Sequence, residues 1–254
     1  MTEPKSKSEV LSKTTLDYLH TIHREVKYKR REEYTNKYID KGKRMEDDSL
    51  TLLSIVKGYV IDKNNIRLSN EFITGEADTA TFSLVGKHGF DVKTVWDLWT
   101  LPFPTDKLNP DYEWQNLGYI ALNDADSWST CYCLVNSPSD QILKEKTSLW
   151  YALGCPDDSS ELYMRKRLEI EKNMIFDMAK FKRDNPNFDL DFDVVGGWEY
   201  DIPANERVIE FVTKRDDEKI NQLYTRIEQC REYLKTYNYE RGRNNISQNN
   251  TPIV

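Results

Sequence analysis

Asp78, Asp91 and Lys93 have types and spacings that can do chemistry. Asp91 and Lys93 stand two apart in Phe90-Asp91-Val92-Lys93. Side chains alternate across a strand, so the carboxylate and the ammonium leave one face together while Val92 leaves the other for a core. Asp78, in Gly75-Glu76-Ala77-Asp78, is predicted on the preceding strand of the same hairpin, where it can meet Asp91. Two carboxylates make a hard oxygen site suited to Mg²⁺, with Mn²⁺ as an alternative ion. A lysine beside them can orient or deprotonate a water, or neutralise charge on a phosphate. These are the parts needed for metal-assisted phosphodiester hydrolysis.

Two further segments carry candidate residues. Upstream, helical spacing over 43–57 puts Met45, Ser49, Leu52, Leu53 and Val56 on one face. Glu46 and Asp48 flank that face on opposite sides and Asp47 points away. Periodicity therefore excludes Asp47 as an inward carboxylate and leaves Glu46 and Asp48 both open. Downstream, Gln115 and Tyr119 are four apart in a predicted helix over 111–122, hence neighbours on its surface. An amide and a phenol one turn apart can hold a lysine, a water or a phosphate oxygen.

In the order Glu46, Asp78, Asp91/Lys93, Gln115/Tyr119, the chain resembles the PD-(D/E)-x-K, or restriction-endonuclease-like, nuclease superfamily. Asp91-Val92-Lys93 matches (D/E)-x-K, and Ala77-Asp78 matches PD without its proline, which is not a ligand. Gln-x-x-x-Tyr after D-x-K marks the RecB-like branch. The phage lambda-type exonuclease and YqaJ-type recombinase families carry a helical glycine four residues before a metal-site glutamate. Gly42 and Glu46 match that register, so the resemblance selects Glu46. It implies an α/β fold with a central mixed sheet flanked by helices and the metal site at one sheet edge. It further implies that Glu46, Asp78, Asp91 and the Val92 carbonyl hold Mg²⁺, and that Lys93 positions the attacking water. Gln115 and Tyr119 would support that lysine or bind backbone phosphate. The implied activity is a deoxyribonuclease that resects linear double-stranded DNA from its ends for recombination or repair. Its implied partners are duplex ends, a single-strand annealing protein and other copies of itself. The same site chemistry suits a structure-specific endonuclease, and a silent DNA-binding protein could keep the fold.

The remaining pattern places these residues. Leu11 to Tyr38 has helical periodicity, with Leu16, Leu19, Ile22 and Val26 on one face. Residues 72–84 and 90–95 form the predicted catalytic hairpin, and 129–136 reads as a core strand. Three prolines make 100–110 a loop. A helical elaboration is predicted over 138–183, a strand over 206–214 and a helix over 216–234. One nuclease domain over 1–236, with its motifs in 41–136, and a disordered polar tail over 237–254 complete the expected organisation. Trp96 and Trp99 follow the catalytic lysine. They can stack on bases, although burial is the commoner use of large aromatics.

The 254 residues carry a net charge of −7 and 31% charged residues, which argues against a surface coated for nonspecific DNA binding. The stretch 23–44 is locally basic, and Arg31, Lys41, Lys43 and Arg44 are its candidate phosphate contacts, with Trp96 beside them. Cys131, Cys133, Cys155 and Cys230 make no disulfide framework, and the alternating first pair reads as strand core. The three histidines have no zinc spacing, and no Walker A sequence is present. No apolar run reaches membrane-spanning length and the first residues lack a signal-peptide core. A cytoplasmic location is therefore expected, in the host cell if the chain is phage-encoded.

Overall fold

The computed structural model describes residues 10–79, 86–158 and 160–248. Three helices come first: α1 (Lys13–Tyr28), α2 (Lys37–Arg44) and α3 (Glu46–Lys57). A short antiparallel ribbon of β1 (Arg67–Ser69) and β2 (Thr74–Glu76) follows. The central sheet takes β3 (His88–Thr94), then α4 (Pro110–Asn123) as crossover, then β4 (Ser127–Cys133), parallel to β3. Helices α5 (Ser139–Ala152), α6 (Glu161–Met174), α7 (Met178–Asp184) and α8 (Asp191–Val195) lead to β5 (Val208–Lys214), antiparallel to β4. Helix α9 (Asp217–Gln248) ends the described chain. The sheet order β3-β4-β5 is therefore mixed, as expected.

Strand alternation divides the sheet between two cores. Phe90, Val92, Cys131 and Cys133 point to the face covered by α3, where they meet Leu50, Leu52, Leu53 and Ile61. Trp128 points to the other face and packs with Leu117 and Ile120 of α4 and Ile220 of α9. Gly89 lies against Trp128 there: a Cβ added to it would stand 2.2 Å from the indole ring. Asp91 and Lys93 share this second face. Helices α5 to α7 form a separate apolar cluster around Ile142, Met174, Ile175, Met178, Phe181 and Leu190, which is the helical elaboration predicted over 138–183. Among the described residues no helix is long and apolar enough to cross a membrane.

Several boundaries differ from the periodicity. The helix expected over 11–38 stops at Tyr28, with Lys29 left-handed at φ 51°. Beyond it Lys29-Arg30-Arg31-Glu32-Glu33 supplies no apolar face to hold a further turn. Val26, expected inward, is exposed. The helix expected over 43–57 breaks at Met45, so Gly42 and Glu46 sit on separate helices. The predicted hairpin is not a ladder among the described residues, because β2 pairs with β1 and β3 pairs with β4. Residues 80–85 of that hairpin lie outside the described residues. At 237–254, expected to be a disordered tail, α9 continues as far as Gln248. An established helix extends at little cost per residue, which polar composition alone does not reveal. Residues 249–254 lie outside the described residues.

Candidate active site

Side chains from the 78–79 segment serve the free edge of β3. Thr79 Oγ1 accepts from the Phe90 N–H at 2.8 Å and donates to the Phe90 carbonyl at 2.9 Å. One step along, Asp78 Oδ2 accepts from the Val92 N–H at 2.8 Å. The N–H and C=O of one strand residue leave on the same side, so the Val92 carbonyl also points to this edge. Asp78 thus reaches β3 through its side chain rather than by strand pairing.

Asp91 is 1% exposed. Its Oδ2 lies 2.6 Å from Lys93 Nζ. The ammonium also donates to Gln115 Oε1 at 3.2 Å and sits 4.8 Å from the centre of the Tyr112 ring. Gln115 Nε2 donates to the Tyr119 hydroxyl at 2.9 Å, and that hydroxyl donates to the Glu76 carbonyl at 3.3 Å. The chain Asp91–Lys93–Gln115–Tyr119–Glu76 therefore fixes the lysine from both ends. Asn116, fully buried, sets the height of α4 by donating to Thr130 Oγ1 at 2.9 Å and Thr213 Oγ1 at 3.0 Å.

Burial dominates the electrostatics. It pushes Asp78 from the ordinary 3.8 up to about 7, with the nearby Asp91 charge adding to the rise and the Val92 N–H and Lys93 opposing it. Burial raises Asp91 too, against the pull of Lys93. Tyr119 is pushed up to about 12 by burial and then by Asp91. Two carboxylates in one desolvated space cannot both ionise cheaply without a cation.

Glu46 stands close enough for its charge to raise both Asp78 and Asp91. Its own Oε1 lies 2.8 Å from Lys63 Nζ. Asp47 points to solvent, as the periodicity requires, and also contacts Lys63. Asp48 lies on the other flank and pairs with Lys180 at 3.2 Å. The structure thus groups Glu46, rather than Asp48, with the two aspartates.

The candidate phosphate contacts separate into two groups. Arg31 and Lys43 are exposed. Arg44 is held by Asp140 at 2.6 Å and by Asp40 at 3.3 Å. Lys41 is a correction: it is 1% exposed, and its ammonium donates to the Trp96 carbonyl at 2.7 Å. Burial lowers its pKa to about 7, and the side chain is turned inward to brace the loop after β3 rather than outward to a phosphate. Trp96 packs edge-on against Tyr38 at 5.2 Å, the burial role rather than the stacking one.

Sequence spacing did not single out Lys63, Tyr112, Thr79 or Asn116. Thr79 next to Asp78 was the one legible neighbour. The others come from a loop or a buried face and carry no pattern of their own. Among the described residues no three acidic, histidine or cysteine side chains converge on one point as they stand. Asp91 faces Lys93, Asp78 faces the Val92 N–H and Glu46 faces Lys63. The donor set nevertheless fits a hard divalent cation. It is all oxygen, and a positive charge would relieve the buried pair.

No protein-family model and no curated protein matches the sequence. Among solved structures, the chain is similar to a phage-related exonuclease from Haemophilus somnus 129PT, with a TM-score of 0.65 and 23% identity over 94% of this chain and 91% of that one. It is also similar to an alkaline exonuclease from Laribacter hongkongensis, with a TM-score of 0.53 and 13% identity over 97% and 89% of the two chains. The fold is therefore the restriction-endonuclease-like one, a mixed sheet flanked by helices with the candidate site at its β3 edge.

Proposed function

We propose that the chain is a Mg²⁺-dependent exodeoxyribonuclease of the PD-(D/E)-x-K type, in its RecB-like, lambda-type branch, which resects linear double-stranded DNA. The observation that carries this reading is Lys93, held between Asp91 and Gln115 on the strand edge where Asp78 also ends. Both solved structures cited above are described as exonucleases, which supports the same reading. Glu46, Asp78, Asp91 and the Val92 carbonyl would hold the ion, with Mn²⁺ as a substitute. When bound, it supplies Lewis acidity at the scissile phosphate and lowers the pKa of a coordinated water. Lys93 orients the attacking water and offsets charge that develops on the phosphate. Gln115 and Tyr119 hold Lys93 in place, while Arg31 and Lys43 contact backbone phosphates. Duplex ends are the substrate, and an annealing protein and further copies of the chain are the proposed partners.

The test is digestion of end-labelled linear DNA and closed circular DNA, each with Mg²⁺ and with EDTA. Linear DNA should shorten from its ends only with Mg²⁺, and closed circles should stay intact. Nicked circles would establish an endonuclease. No cleavage of any substrate with Mg²⁺ would overturn the enzymatic reading.

A further inference from the structure

Trp99 and Phe103 are 78% and 72% exposed. They lie in the segment that joins β3, which carries Lys93, to α4, which carries Gln115. This segment is firmly built. Asp97 and Thr100 form a reciprocal cap on a 3₁₀ turn at Leu98–Thr100. Asp106 Oδ2 accepts from the Phe103 N–H at 2.7 Å. Between the two exposed rings, Leu101 packs inward against Val95, Leu134 and Phe176. Pro102 and Pro104 restrict the backbone on either side of Phe103. The loop therefore alternates out, in, out, and holds two large rings in water, where they contribute nothing to the core.

The surface continues past the base of this loop. Lys37 Nζ lies 4.8 Å over the Trp96 ring, and Trp96 meets Tyr38. Tyr38 is 54% and Tyr34 72% exposed. Just before them, Arg30 and Arg31 pair with no carboxylate among the described residues. Lys37 is itself paired with Glu145 at 2.9 Å, so Arg30 and Arg31 are the free cations beside these rings. Exposed rings next to free cations are the chemistry that binds unpaired nucleotides, bases on the rings and phosphates on the cations.

We propose that Tyr34, Tyr38, Trp99 and Phe103 form a stacking track for the unpaired nucleotides of a DNA strand beside the hydrolytic site. The proposal rests on the nuclease reading for its substrate class and adds a single-strand subsite to it. Trp99 is at most about 20 Å along the chain from Lys93, six residues at full extension, so a strand on the track is within reach of the site.

The test is binding of a fluorescein-labelled oligothymidine to the full chain in EDTA, read by anisotropy and by quenching of intrinsic tryptophan fluorescence. Trp99→Ala with Phe103→Ala, and separately Tyr34→Ala with Tyr38→Ala, should each weaken binding on the order of a hundredfold, about the loss of two base–aromatic stacks. Trp99→Phe should keep most of the affinity, and the melting temperature of the Trp99→Ala, Phe103→Ala variant should stay at the wild-type value because both rings are exposed. Wild-type affinity in both double variants would overturn the proposal. So would a wild-type chain that self-associates in sedimentation through these rings while oligonucleotide affinity is unchanged, which would make the patch a contact between copies. Binding in EDTA requires no hydrolysis. A chain that binds oligothymidine through the track but cleaves nothing in Mg²⁺ would overturn the enzymatic reading and leave the track standing.

Discussion

Asp78 holds its proton to about pH 7 while unfolded aspartate loses it near 3.8. Between those values the folded chain binds more protons than the unfolded chain, so this group lowers apo stability progressively as pH rises through the window. Asp78→Asn keeps an oxygen to accept the Val92 N–H and removes the charge. In EDTA the variant should match wild type at pH 4 and melt higher at pH 8, by about 1–2 kcal/mol after solvent screening. Calorimetry at both pH values checks this, and a stability difference that does not grow with pH would refute it. The variant should also lose cleavage. At Lys93, Ala and Arg should each lower the cleavage rate on the order of a hundredfold or more, while DNA binding in Ca²⁺ persists, because a guanidinium cannot replace a compact ammonium. Loss of binding and cleavage in equal proportion would make Lys93 a ground-state phosphate contact. Glu46→Gln should abolish cleavage, and Asp47→Asn and Asp48→Asn should keep it, since Asp48 is engaged by Lys180. Residue types and spacing made this set legible, because the D-x-K alternation and the four-residue Gln–Tyr step are local. Lys41 was not legible, because whether a lysine in a basic run points to solvent or into a core is decided by a loop 55 residues away.

At the level of elements, the height of β3 relative to α4 decides whether Lys93 and Gln115 can meet. Gly89 and Trp128 set part of that height by close approach. Gly89→Ala must displace a ring that is 1% exposed, or else the strand itself. The expected loss is about 1–3 kcal/mol, the usual range for overpacking, together with reduced cleavage. Adding Trp128→Phe removes the indole atoms that the new methyl would strike. The double variant should therefore be more stable than the sum of the two single effects, as thermal melts of the four proteins would read. Strict additivity would mean that the contact does not position the strand. The apolar alternation that builds β3 and β4 was readable, because Phe90, Val92, Cys131 and Cys133 repeat with period two. The edge of β3 was not. A threonine and an aspartate complete it through side chains, and strand periodicity carries no record of such bonds. The break at Met45 was equally hidden, since neither glycine nor proline stands at that position.

Across the whole molecule, the layer formed by α5 to α8 bears on the site without touching it. Ion pairs tie it to the first helices: Asp140 to Arg44, Glu145 to Lys37, and Lys180 to Asp48 on the helix that carries Glu46. Asn136 clamps the layer to the end of β4 by accepting from the Phe176 N–H at 2.7 Å. The layer's interior is charged as well as apolar. Glu171, fully buried, lies 2.5 Å from Lys146 and accepts from the Asp191 and Phe192 N–H groups at 2.7 and 3.1 Å. Lys146 also meets Asp191 at 2.8 Å, and Asp191 meets Arg167 at 2.5 Å. Lys146, Glu171 and Asp191 are buried, while Arg167 reaches the surface and also pairs with the exposed Asp158 at 3.3 Å. Removing Glu171 leaves the buried Lys146 ammonium to share Asp191 with Arg167, one anion short, and orphans two N–H groups. Glu171→Ala should therefore lower stability by about 3–5 kcal/mol, while Lys146→Met with Glu171→Leu should recover much of it, because an apolar pair of similar volume avoids the stranded charge. If the layer acts as a brace, molecules that remain folded well below the melting point should cleave DNA with an unchanged KM. A raised KM at full folding would instead show that the layer shapes the DNA-binding surface directly. A double variant no more stable than Glu171→Ala would show that the N–H groups, rather than the charges, hold the layer together.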